Sequence, residues 1–126
     1  MPGRPMGTAN YMAPERILQL PLDGRCDLFS LGVVMYEMAT GRLPFAAASP
    51  AETVTNILEK EPAPVTTLSP NRGTHLDRIV SKLLAKSADG RYPSAAALCT
   101  DLEAIKARPP RPTLLSRVFG RFTSRS

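Results

Sequence analysis

The chain has 126 residues, 43% of them hydrophobic and 21% charged, an ordinary balance for one small globular domain. Its formal charge of +5 is unevenly placed: residues 1–105 hold all 11 acids against ten basic residues, and Lys106, Arg108, Arg111, Arg117, Arg121 and Arg125 load the end of the chain with positive charge. The near-neutral body gives no electrostatic case for a nucleic-acid partner, two cysteines are too few for a disulfide framework, and no apolar run approaches the roughly 20 residues that span a bilayer.

Residues 1–13 hold scattered glycines and prolines without period and read as an extended loop. Pro14 suits the first turn of a short helix to Gln19, ended by Pro21 and Gly24. From Arg25 to Ala39 the apolar residues cover every side of a helical wheel, so this helix is predicted to be buried all round, with Gly41 as its stop. Ser49 and Pro50 read as the N-cap and first position of a helix to about Lys60. A proline-broken loop follows through Gly73.

Thr74 can cap the next helix, in which Leu76, Ile79, Val80, Leu83 and Leu84 recur at helical spacing. Residues 88–93 read as a turn, and Pro93 or Ser94 opens a last helix to about Ala107, where Pro109 and Pro110 stop it. No alternation is long enough for a strand, so the expected fold is all-helical.

Three motifs stand in order. Gly7 to Glu15 read GTANYMAPE; Asp27 to Gly32 read DLFSLG and run on through Tyr36 and Glu37 to Gly41, Pro44 and Phe45; Ala88 to Ser94 read ADGRYPS. This series resembles the C-terminal part of a bacterial-type serine/threonine protein kinase domain: the end of the activation segment with its A-P-E motif, the helix F signature, and the arginine-containing turn before the last helix. The resemblance covers most of positions 7–105. It implies an all-α C-terminal lobe (helices F to I) over residues 1–107, followed by a basic tail at 108–126.

The resemblance also implies roles. Thr8 matches the threonine that positions the acceptor hydroxyl in serine/threonine kinases, and Tyr11 and Met12 match the loop that shapes the bound peptide. Ala13, Pro14 and Glu15 match the A-P-E motif, with Arg91 as the bidentate partner of Glu15. Asp27 matches the acid at the start of helix F that accepts backbone hydrogen bonds from the catalytic loop, and Gly32 belongs to the same signature. Read as residues alone, Glu15 and Arg91 could be solvated charges, and Asp27 a plain acid in a first helical turn.

Phosphoryl transfer needs a glycine-rich loop, a strand lysine, a catalytic-loop aspartate and asparagine, and a metal-binding DFG aspartate, and none of these motifs occurs in the sequence. The expectation is therefore no catalytic, cofactor-binding or metal-binding residue here, with ATP and Mg implied for the full-length family and proteins as its substrates. In the family one side of helix F meets the catalytic loop and the preceding helix, so this chain alone is expected to expose apolar surface and to associate. The alternative is a non-catalytic interaction module or a remnant. His75, the chain's one histidine, reads as an exposed helix residue.

Met1 to Arg4 lack a signal peptide's apolar stretch, and Cys26 and Cys99 suit a reducing compartment, so the expected location is the cytoplasm. In the tail, Leu114, Leu115, Val118, Phe119 and Phe122 share a helical face, with Arg117, Arg121 and Arg125 spaced four apart. That pattern fits an anionic membrane surface contacted through 114–125, although Gly120 and the short length also fit a disordered linker or a segment that packs back on the domain.

Overall fold

The structure is a computed structural model that describes residues 7–107, with side chains from 9 to 106. The expectations for the tail at 108–126 and for the side chain of Thr8 lie outside the described residues. Seven α-helices follow in order: α1 Gly7–Asn10, α2 Pro14–Ile17, α3 Arg25–Thr40, α4 Pro50–Glu59, α5 Val65–Leu68, α6 Thr74–Leu83 and α7 Ala95–Ala107, with single 3₁₀ turns at Pro70–Arg72 and Ala88–Gly90. There is no strand among the described residues, so the all-helical expectation holds.

Local chemistry accounts for several boundaries. Ser49 Oγ accepts a hydrogen bond from the Glu52 amide at 3.2 Å with Pro50 next to it, the expected opening of α4. Gly41 ends α3 at φ 76°, a left-handed conformation that costs glycine little. Ser94 Oγ takes the Ala97 amide at 3.2 Å ahead of α7.

Five expectations need correction. Residues 7–10 form a helical turn inside the predicted loop, and α2 ends at Ile17, two residues early, because Gln19 turns to φ 58°. The predicted loop before Gly73 contains α5 and a 3₁₀ turn. Thr74 is the first residue of α6 and not its cap; Gly73 precedes it at φ 86°. His75 is half-buried, not exposed.

The long helix α3 is the centre of the packing. Phe29, Val33 and Tyr36 from α3 join Phe45, Ile57, Val65, Val80 and Leu84 in the larger core cluster, while Leu28 joins Ile79, Leu83, Tyr92 and Leu98 in the smaller one. The Phe29 and Phe45 rings stack at 5.9 Å with 11° between their planes. Gly32 lets α6 come close: a Cβ at that position would stand 2.7 Å from Leu83 Cβ and 3.0 Å from Leu84 Cδ2.

Burial on every side, read from composition, does not occur within this chain; the exposed apolar surface expected of the chain alone does. Asp27, Leu31, Val34 and Met38, spaced four, three and four apart, form a single exposed stripe on α3. Met38 is 77% exposed, and Leu31 and Val34 are each 39% exposed. Apolar composition dictated that this face avoid water, but none of the described residues covers it.

Candidate functional site

The residues singled out in the sequence gather where the segment before α3 crosses that helix. Ala13, Pro14 and Glu15 are all buried, and Pro14 begins α2 with no amide hydrogen to satisfy. Tyr11 and Met12 are half-buried. Two bonds tie this segment to α3: the Tyr11 hydroxyl donates to Glu37 Oε1 at 2.7 Å, and Ser30 Oγ donates to the Tyr11 carbonyl at 2.5 Å.

Glu15 and Arg91 form a bidentate ion pair. Nη1 reaches Oε2 at 2.6 Å and Nη2 reaches Oε1 at 2.8 Å, with the arginine side chain fully shielded from solvent. The remaining donors meet carbonyls: Nη1 that of Arg25 at 3.0 Å, Nη2 that of Lys86 at 3.3 Å, and Nε that of Ala85 at 2.9 Å. A guanidinium has five N–H groups, and all five find acceptors here. The guanidinium also lies 5.0 Å from the Phe29 ring centroid. The hydrogen bonds from Arg91 hold the Glu15 carboxyl below its ordinary pKa, against the opposing effect of burial. One side chain thus joins α2, the start of α3 and the link between α6 and α7.

Asp27 differs. It is exposed, and the one hydrogen-bond partner of its carboxylate among the described residues is the Cys26 thiol, 3.9 Å away. The catalytic-loop amides that the resemblance implies as its partners belong to a motif that does not occur in this sequence. Asn10, unnoticed in the sequence, is buried with Oδ1 unpartnered among the described residues.

Two further groups escaped the sequence reading. Lys86 Nζ donates to the carbonyls of Ile57 at 2.7 Å and Asn56 at 3.3 Å near the C-terminal end of α4, and sits 4.2 Å from the Phe45 ring centroid. Burial pushes its pKa down. Asp101 on α7 accepts two bonds from Arg78 at 2.7 and 2.8 Å and one from the Tyr92 hydroxyl at 2.5 Å. Burial and that bond push the Tyr92 pKa up to about 12. A basic or aromatic residue carries no local signal of a partner nine to thirty residues away in the chain.

Comparison with known proteins decides what this framework is. The family model described as the protein kinase domain matches residues 3–102. The chain belongs to the protein kinase family.

Among its relatives, the kinase chain is 36% identical over 104 residues to the probable serine/threonine-protein kinase CE0033 of Corynebacterium efficiens, covering 79% of this chain and 16% of that one. It is 36% identical over 106 residues to the serine/threonine-protein kinase PknB of Mycobacterium tuberculosis, covering 83% and 17%. The twitchin kinase region from C. elegans superposes with a TM-score of 0.68 over 85% of this chain and 18% of that one, at 24% identity, which shows the shared fold. This kinase chain thus spans less than a fifth of the length of these proteins. It is a bacterial-type serine/threonine kinase family member with the helical C-terminal lobe of the kinase fold. No described helix is long and apolar enough to cross a membrane.

Proposed function

We propose that this chain is the C-terminal piece of an ATP-dependent serine/threonine kinase domain that phosphorylates hydroxyls of other proteins in the cytoplasm, and that the piece transfers no phosphate alone. The observation that carries the reading is the stripe Asp27, Leu31, Val34 and Met38 on an otherwise buried helix. An amphipathic surface helix sets its polar face outward, whereas α3 sets one carboxylate and three large apolar residues outward. That composition suits a covering segment with apolar side chains and backbone amides to offer Asp27, the character of the catalytic loop and preceding helix that the family resemblance puts there. The buried, unpartnered Asn10 Oδ1 asks for a further donor in the same way.

The Mg and ATP that the family resemblance implies are assigned to the rest of the domain, where the resemblance puts the glycine-rich loop, the strand lysine and the DFG aspartate. Within this chain, Thr8, Tyr11 and Met12 are assigned to positioning the protein substrate, and Ala13, Pro14, Glu15, Gly32 and Arg91 to holding the segment that carries them.

Two measurements test the reading. The purified chain, given Mg and labelled ATP with a protein substrate, is expected to transfer no label above a blank; transfer proportional to its concentration would overturn the claim of inactivity. In source cells, an antibody to the tail is expected to detect a product well above 13.6 kDa. A band at that mass would replace the enzyme-piece reading with that of a non-catalytic interaction module.

A further inference from the structure

A cavity of about 400 Å³ opens between α3, the 61–65 segment and α6, away from Glu15 and Arg91. Its floor is apolar, made by Tyr36, Val65, Val80 and Leu84. Glu61 and Asp77 bring carboxylates to its rim, and the one basic side chain there, Arg78, is already paired with Asp101. Asp77 is held in place by the amide of Thr66 at 2.9 Å and by the Thr66 hydroxyl. An occupant with large apolar groups flanked by positive charge matches both the floor and the rim.

We propose that the occupant is the chain's own segment 114–122, with Leu115, Phe119 or Phe122 seated in the cavity and Arg117 and Arg121 toward Glu61 and Asp77. Placement supports this choice. Asp101, which clasps the rim residue Arg78, stands on α7 six residues before Ala107, so α7 extends only about 9 Å beyond it. From there residues 108–113 would span about 20 Å if fully extended. The segment carries five large apolar residues and, with its flanks, no acid at all after Glu103. Tethering makes the encounter intramolecular, so modest contacts are enough to keep it docked. The inference is independent of the proposed catalytic role of the longer protein.

Trypsin provides the test on the full 126-residue chain. Arg108 and Arg111 precede prolines and resist cleavage, which leaves Arg117, Arg121 and Arg125 in the tail, with Arg117 and Arg121 inside the docking segment as reporters. Cleavage at these two sites is expected to be slower by about tenfold than in a synthetic 108–126 peptide, because a docked segment must open first. Ser81→Phe, which fills the cavity from the exposed side of α6, and Phe119→Asp with Phe122→Asp, which lie outside the described fold, should each restore the peptide rate. Equal rates in chain and peptide would overturn the proposal. So would protection that Ser81→Phe leaves in place, protection lost on dilution (a second copy as the occupant), or protection that appears only with vesicles of anionic lipid (a membrane as the occupant). Uniform cleavage throughout the chain would overturn it as well, since no cavity would then exist to hold the tail.

Discussion

Arg91 and Glu15 stand 76 residues apart in the chain, yet their side chains meet through two bonds of 2.6 and 2.8 Å, with the guanidinium wholly shielded from water. Removing one partner would leave the other as a buried charge without compensation, a change that costs about 3–5 kcal/mol. A lone domain of this size has only about 5–15 kcal/mol in all. Arg91→Ala and Glu15→Ala are therefore expected to lower the urea midpoint substantially, as followed by circular dichroism at 222 nm. Arg91→Lys should be nearly as harmful, because an ammonium has three donors where five acceptors wait. A wild-type urea midpoint in Arg91→Lys would refute this.

The same pair sets an acid limit. The Glu15 pKa in the fold lies below its ordinary value of 4.5, with hydrogen bonding from Arg91 as the leading cause. A carboxylate with a depressed folded pKa contributes stability that is complete above the unfolded value and is lost as pH falls through the folded one. Stability is thus expected to be flat with respect to Glu15 above about pH 5.5 and to decline below 4.5. Urea midpoints measured from pH 7 to pH 3 check this, and Glu15→Gln should flatten part of the acid slope.

Gly32 is expected to tolerate no side chain. Alanine would gain up to about 1 kcal/mol of helix propensity over glycine, but its Cβ would stand 2.7 Å from Leu83 Cβ. Separating α3 from α6 costs about 1–3 kcal/mol, so the net effect of Gly32→Ala should be destabilising. Trimming Leu83 to alanine keeps the clashing Cβ and should not rescue the variant. Thermal melts of the single and double variants decide the matter.

The open stripe on α3 governs association. Leu31, Val34 and Met38 together present an apolar face without cover among the described residues, so the isolated chain is expected to self-associate. Leu31→Glu, Val34→Lys and Met38→Glu combined should shift sedimentation toward the monomer while leaving helicity intact, because these three residues are exposed and belong to neither core cluster. A wild-type chain that sediments as a clean monomer and unfolds in two states with several kcal/mol of stability would refute the idea.

Much of this protein was legible in its residues. GTANYMAPE, DLFSLG and ADGRYPS, in that order, identified the kinase family and matched Glu15 with Arg91 before any coordinate was known. The α4 cap at Ser49 and the α3 stop at Gly41 followed from local chemistry, which acts over a few residues and leaves a local mark. Only the tertiary structure revealed that Lys86 caps α4, that Asp101 joins Arg78 to Tyr92, and that α6 approaches α3 at Gly32. Each depends on chain segments distant in sequence meeting at a few ångströms, which no periodicity encodes. The α3 stripe shows the division most clearly: composition made Leu31, Val34 and Met38 fit for burial and the resemblance implied that one side of the helix stays open, but burial is a property of the neighbours that arrive, and the packed structure alone decided which residues form the open side.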